Sequence, residues 1–471
     1  MKKMLFGGMV LALLFCGCSA KKTGEADVPT LIWWQIGSSQ DISEDLKTIS
    51  DYTQEKIGVR VDIKQAGWGD ATQRFTTMIN AGEYFDILFT DIGSYNRYVS
   101  LGALADLTDM VGAEVPKLVS SLPDVLWEGV KVKGRIYSIP TYKDSSKTMY
   151  YFWDHSLVEK YGLDISDPSW ANLDRLFRTI KAGEGQRYYP FVLAKDASLH
   201  YNWYDSLTGD LPPMGVRVDD PQHRVVNTLE QADILSSFNY LHQWYEAGII
   251  NPDANMEDQT PPNRPFFIAQ AWPAVAASYA TSAGIEQYDP VRYFGPSYST
   301  DSIQGSMNGI SVNSKYKKEA LKLLELVNTD TKLRDMMAYG IEGKHFTYVN
   351  GGSAVRRDQT NWPLINYQEG SFFIETPENT VPDGYWDQVR QLNEEAVPSV
   401  MLGFMLDMEP IRTELINCQS AWNKYKTDLN TGASDPAVVI PQLMTELRNA
   451  GFEKVMQEAQ RQVDEFFRTN G

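Results

Sequence analysis

Two short clusters of residues combine types that suit one kind of chemistry. Trp33-Trp34-Gln35 and Trp203-Tyr204-Asp205 set flat aromatic faces beside groups that hydrogen-bond. A neutral, hydroxyl-rich ligand needs both. Its C–H faces pack on apolar rings, and its hydroxyls need Asp, Asn, Gln or Arg, because a buried polar group without a partner is costly. The pattern recurs where Trp68 precedes Asp70, where Asp91 precedes Tyr95, and in Tyr142-Lys143-Asp144. With 12 Trp and 25 Tyr, most rings must be ordinary core or surface residues, so only a minority can face a ligand. Signatures of other chemistries are missing. The chain has no G-x-S-x-G turn, no H-E-x-x-H and no Walker loop. Its five histidines (His155, His200, His223, His242 and His345) are scattered, without metal-ligand spacing. No metal or other cofactor is expected. The 61 acidic residues leave room for a pair of carboxylates suited to glycoside hydrolysis, which counting alone does not settle.

Composition narrows the partners. The formal net charge of −18 argues against nucleic acid or an anionic lipid surface, which attract basic proteins. The start of the chain points outside the cytoplasm. Lys2 and Lys3 precede an apolar run from Met4 to Phe15, too short to span a bilayer and laid out like a secretory signal. Gly17-Cys18 after it resembles a bacterial lipobox, although Phe15 stands where Leu is usual. The resemblance implies cleavage before Cys18 and acylation of its thiol with chains such as palmitate. Residues 1–18 are then a lipoprotein signal and 19–29 a flexible tether. Cys16 would be lost and Cys18 acylated, so Cys418 would stand alone, with no disulfide in the mature chain. The fold must rest on its core, and 471 residues favour two domains or more.

The elements that would position the clusters follow from periodicity. Leu31–Ile36 reads as a strand. Asp41 can cap a helix with Ile42, Leu46, Ile49 and Thr53 on one face, and Gly58 can end it. Val59, Val61 and Ile63 alternate as a second strand, Phe75, Met78 and Ile79 mark a second helix, and Asp86–Phe89 is a third strand. Strand–helix–strand–helix–strand implies a parallel sheet with crossover helices, and ligands gather at the carboxyl ends of such strands. Further helices are predicted over 161–182, 230–247 and 315–339. Near the end, Pro441 is predicted in a first helical turn. After Gly451, Phe452, Val455, Met456, Ala459, Val463 and Phe466 form a core-facing stripe.

Four stretches together resemble the extracellular solute-binding proteins of ABC importers, specifically the sugar-binding family that includes maltose-binding protein. They are Gly82-Glu83-Tyr84-Phe85-Asp86-Ile87, Gly102-Ala103-Leu104-Ala105-Asp106-Leu107, Gly134-Arg135-Ile136-Tyr137-Ser138-Ile139-Pro140 and Gly309-Ile310-Ser311-Val312-Asn313. Leu402-Gly403-Phe404, Glu409-Pro410-Ile411 and Ala450-Gly451-Phe452-Glu453-Lys454-Val455 are similar to the C-terminal region of LipO-type lipoproteins, a branch of that family. The resemblance implies an α/β, two-lobed periplasmic-binding-protein-like fold (type II), with two intertwined domains joined by crossing strands. The lobes are expected at 30–141 with 308–352, and at 142–307 with 353–471, with crossovers near Tyr142–Asp144 and Ser302–Met307.

On that reading the protein is an extracytoplasmic, lipid-anchored monomer. It captures a sugar or oligosaccharide between its lobes and delivers it to the permease subunits of an ABC importer, touching the membrane through its anchor only. Expected ligand contacts are Trp33, Trp34, Gln35, Trp68, Asp70, Asp91 and Tyr95 from the first lobe. Tyr142, Lys143 and Asp144 come from the crossover and Asn308 from the return. Tyr201, Trp203, Asp205, Trp272 and Trp362 come from the second lobe. Strand alternation points only one of Trp33 and Trp34 at the cleft. Three rivals remain: a peptide or amino-acid binder using Lys143, Arg264 or Arg292, a secreted carbohydrate-active enzyme, and a lipoprotein adhesin.

Overall fold

The computed structural model describes residues 28–470 apart from 39, 199, 200 and 210. The signal segment and Cys18 lie outside the described residues.

The predicted β-α-β-α-β start is present. Strands Thr30–Ile36, Arg60–Ala66 and Ile87–Thr90 pair in parallel, linked by helices Ser43–Ile57 and Ala71–Asn80. The first helix ends on Gly58, whose left-handed φ of 73° lets its N–H reach back to Gln54 O. Its start lies slightly past the predicted cap. Ile42 occupies the capping position, and Asp41 Oδ1 instead accepts from Ser43 N. Two more strands complete the sheet. Met307–Ile310 runs antiparallel to Ile87–Thr90 and to Ser138–Pro140. Asp86 fastens this junction, accepting from Ile32 N, Tyr84 Oη and Ser314 Oγ.

The second sheet has four strands in the order Phe266–Gln270, Lys147–Asp154, Tyr288–Tyr298 and Val397–Pro398. Its strands turn opposite faces to different cores. Tyr151 and Trp153 pack with Phe177, Trp244 and the C-terminal helices, whereas Tyr150 and Phe152 pack with Phe267 and Tyr288. The predicted stripe holds, with Phe452, Val455, Ala459 and Val463 all buried in the larger core. Three helix predictions need correction. The helix expected over 161–182 begins only at Trp170 and runs to Glu184, capped by Ser169 Oγ accepting from Asn172 N, while a separate helix, His155–Tyr161, ends where that stretch begins. The stretch 315–339 divides at Asp330, whose carboxylate caps the helix Thr331–Tyr339. Pro436, not Pro441, takes the first turn of the helix Pro436–Asn449, with Asp435 as cap.

The chain passes between the two sheets three times. Ser138–Pro140 leads into Lys147–Asp154, and Tyr288–Tyr298 returns to Met307–Ile310. The third passage carries helix Tyr385–Glu395 to the strand Val397–Pro398. Asn393 on that helix ties the passages together, accepting from Ser146 N and donating to Lys143 O. The third passage lies later than the expected 353 boundary. Ala354–Arg357 pairs with Phe346–Val349, and Trp362 and Leu364 belong to the first-lobe core. The buried Arg334 guanidinium holds this stretch in place. It binds Glu369, Glu375, Asn366 O and Ser371 O, so that four acceptors must gather around one cation.

Candidate functional site

A cavity of about 290 Å³ opens where the second sheet meets the crossing segments. Three elements deliver its charged groups. Lys147 begins the strand that leaves the first crossing, Asp205 sits in the strand Tyr204–Ser206, and Asp301 follows the capping Ser299 on the return crossing. Gln270 and Tyr201 add polar groups, and Phe294 adds a ring with the Lys147 ammonium 6.0 Å from its centre. Ser399 Oγ donates to the Asp205 carboxylate. Among the described residues, no hydrogen bond or ion pair closes on the Lys147 ammonium or the Asp301 carboxylate.

Electrostatics follow from this position. Burial pushes the Asp205 carboxyl up to about 6, against the opposing effects of Ser399 and Lys147. Burial likewise raises Asp301 to about 6, again offset by Lys147. The Lys147 ammonium is shifted down by the same desolvation, which outweighs the two nearby carboxylates. The side chains keep some solvent contact through the cavity mouth but lie deep within the protein. They are donors and acceptors spaced apart around open volume, ready to pair with a polar ligand. A larger cavity of about 650 Å³ adjoins this one, and both are lined by Asn202 and Tyr204.

Several predicted contacts are taken up by the core instead. Trp33 is buried, and its indole donates to Asn308 Oδ1, while Asn308 donates to Gln368 O. Trp34 packs edge-on against Phe75 under the Arg74 guanidinium. Neither indole of the pair reaches open solvent, because the sheet is covered on both faces. Tyr95 is buried with its hydroxyl on Val130 O. Tyr142 packs on Phe373, and the Trp362 indole donates to Met337 O. Gln35 is 0 % exposed, and neither of its amide atoms has a partner among the described residues.

Other predicted residues stand at exposed or half-buried positions. Trp68 is 61 % exposed beside Asp70, after the second strand. Asp91 follows the third strand and accepts from Ser94 Oγ. Lys143 and Asp144 pair at 2.8 Å, and Gln270 from the cavity wall donates to Asp144 O. Trp203, 40 % exposed, stands edge-on to Phe294. Trp272 leans on Tyr385 and Trp386, and its indole N–H has no partner among the described residues. Lys147, Gln270, Phe294 and Asp301 were not singled out by the sequence reading. Lys147 and Asp301 sit in polar runs, Asp144-Ser145-Ser146-Lys147 and Ser299-Thr300-Asp301-Ser302, without an aromatic neighbour to draw notice.

Comparison with known proteins gives the fold its relatives. Residues 37–332 match the family model described as bacterial extracellular solute-binding protein, and 400–468 match a domain of unknown function. A carbohydrate ABC transporter substrate-binding protein of Streptococcus pneumoniae serotype 4 is 27 % identical, with 98 % of this chain and 96 % of the relative covered. The crystal structure of the N-glycan transport solute-binding protein from Streptococcus pneumoniae superposes with a TM-score of 0.84 at 27 % identity, covering 94 % of this chain and all of that one. The same protein in complex with Man5GlcNAc gives 0.72 at 28 % identity, covering 94 % of this chain and 99 % of that one. A solute-binding protein from Bifidobacterium longum infantis shares the fold at a TM-score of 0.63 and 14 % identity, with 93 % of this chain and 99 % of that one covered. The family match spans well over half the sequence, and with the two-lobed α/β architecture it makes the chain a member of the bacterial extracellular solute-binding protein family.

Proposed function

We propose that the protein captures a sugar or oligosaccharide at the cavity beside the crossing segments and hands it to the permease of an ABC importer. The observation that carries this reading is the cavity floor. Lys147, Asp205, Asp301 and Gln270 offer donors and acceptors, and Phe294 and the neighbouring Trp203 offer ring faces. Hydroxyls would satisfy the first set and C–H faces the second. The relatives support the class of ligand, since one is described as a carbohydrate transporter component and another as binding Man1GlcNAc and Man5GlcNAc.

Closure of the two lobes is the working step. A ligand favours the closed form only by contacts that the open form lacks. No residue of the first lobe's sheet lines the cavity, so Trp68 and Asp91 are the groups we expect to reach the ligand on closure. The TM-scores fit a moving hinge, because the streptococcal protein gives 0.84 in one structure but 0.75 and 0.72 in its two glycan complexes. We further propose that the protein is a monomer tethered outside the cytoplasmic membrane through acylated Cys18.

Titration with Man1GlcNAc and Man5GlcNAc, followed by tryptophan fluorescence and calorimetry, tests the reading. Saturable binding is expected, and its absence for both glycans would count against a sugar ligand. One observation favours a second reading. Asp205 and Asp301 both hold protons more tightly than ordinary carboxyls, as one partner of a hydrolytic pair does. New reducing ends after incubation with these glycans would establish hydrolysis; a transporter component leaves them intact.

A further inference from the structure

The cavity of about 650 Å³ behind the Asn202–Tyr204 segment has no role in the site described so far. It is too large for a packing void, since protein interiors hold few spaces bigger than a water molecule. Its volume falls in the range of ligand sites. Its walls alternate rings with polar groups. Trp170, Trp203, Tyr204 and Tyr293 supply the rings, and Arg217 and Asp233 supply the charges. These groups are held in place by one another. Arg217 pairs with Asp233 at 3.2 Å, the Tyr204 hydroxyl donates to Asp233 at 3.0 Å, and Asn202 Nδ2 donates to the Tyr293 hydroxyl at 2.7 Å. Tyr293 is further fixed by stacking on Tyr151, with ring centres 4.2 Å apart. Such preorganisation lowers the cost of ordering side chains around a ligand.

The two cavities share Asn202 and Tyr204 as walls, and Trp203 of the larger one reaches toward the smaller. One side of its ring system meets Phe294 of the smaller cavity at 4.8 Å, and the Arg217 guanidinium of the larger cavity lies 5.3 Å from its centre. We propose that the larger cavity is a second sugar subsite, which receives one arm of a branched oligosaccharide whose remainder occupies the smaller cavity. This inference rests on the sugar-binding reading. The larger cavity has more than twice the volume of the smaller, so the arm it takes is longer than a single sugar unit. The consequence is specificity: a linear disaccharide fills one cavity, and a branched glycan fills both.

The test separates the two cavities. Ser236 is an exposed helical residue on the wall of the larger cavity and touches nothing in the smaller one. Ser236→Trp should fill the larger cavity without disturbing the core, and Ala232→Trp, an exposed position on the same helix and the same wall, should do so independently. Calorimetric titration is run with Man1GlcNAc as the short probe and Man5GlcNAc as the branched one. Both variants should bind Man5GlcNAc at least tenfold more weakly than the unaltered protein, with Man1GlcNAc affinity unchanged. Unchanged affinity for both glycans, or equal loss for both, overturns the second subsite while leaving sugar binding intact. Failure of the unaltered protein to bind either glycan overturns the sugar reading and this inference with it.

Discussion

Replacing Asp205 by Asn should make the unliganded protein more stable at neutral pH while weakening its hold on ligand. Asp205 has a folded-state pKa of about 6 against an ordinary value of 3.8, and burial is the cause. The fold therefore binds this proton more tightly than the unfolded chain does. Stability from the group is fully present below 3.8 and is lost as pH rises through about 6. Two pKa units correspond to about 3 kcal/mol. Partial contact with solvent through the cavity reduces the figure to roughly 1–3 kcal/mol. Asn keeps an oxygen for Ser399 Oγ, removes the buried charge, and eases the repulsion felt by Asp301. At about 2 °C per kcal/mol, the midpoint at pH 7.5 should rise by about 2–6 °C. At pH 4.5 the native carboxyl is already protonated, so the advantage of the variant should shrink to about a third. A hydrogen bond to a charged group is worth about 1.5–3 kcal/mol, so affinity should fall roughly 10- to 100-fold. Differential scanning calorimetry of both proteins at the two pH values reads the first effect, and glycan titration reads the second. A variant that melts earlier at pH 7.5, or one whose advantage is the same at pH 4.5, refutes the view that this charge is buried at a cost for the sake of the ligand.

Other perturbations test other parts of the molecule. Arg334→Met leaves the buried Glu369 and Glu375 without their cation, which should cost about 3–5 kcal/mol in urea unfolding; a loss under 1 kcal/mol would contradict the role given to this network. Trp33→Phe strands the buried Asn308 side chain and should lower unliganded stability by about 1–3 kcal/mol without a separate change in affinity. Trp203→Ala should do the reverse, weakening glycan binding with a small change in melting, since its half-exposed ring stands beside Phe294 of the cavity; early melting with intact affinity would make it a structural residue. Cys18→Ala should leave the protein in the aqueous phase of a detergent partition, and retention in the detergent phase would exclude lipid attachment at that thiol.

The elements that carry the first lobe could be read from the sequence because each is decided locally. Val59, Val61 and Ile63 alternate, and Gly58 can adopt the left-handed turn that the helix end requires. Helix breaks were harder to see. Asp330 ends one helix and starts the next, Gly162 and Ser169 divide another run between them, and an apolar stripe passing through such residues hides the break. The lobe boundary near 353 failed for a different reason. Nothing near Trp362 announces that Arg334, 28 positions earlier, needs acceptors from 366–375 to be buried.

The candidate site was the least legible part, and Trp33-Trp34 explains why. Alternation sends the two rings to opposite faces of a strand, and a sheet exposed on one face would have put one of them in the cleft. Here both faces are covered. Phe75 lies against Trp34, and the 366–368 turn closes over Trp33 through Asn308 and Gln368. Ring-rich sequence therefore marks core as readily as cleft. What separates the two is charge without an ion pair beside open volume, as at Lys147 and Asp301, on the segments where the crossings meet the second sheet. An unmade indole bond does not mark a cleft by itself, because the core residues Trp127 and Trp153 lack indole partners among the described residues just as Trp272 does. Charge without an ion pair beside open volume is the sharper signal, because a desolvated charge without a partner costs far more than an unmade neutral hydrogen bond.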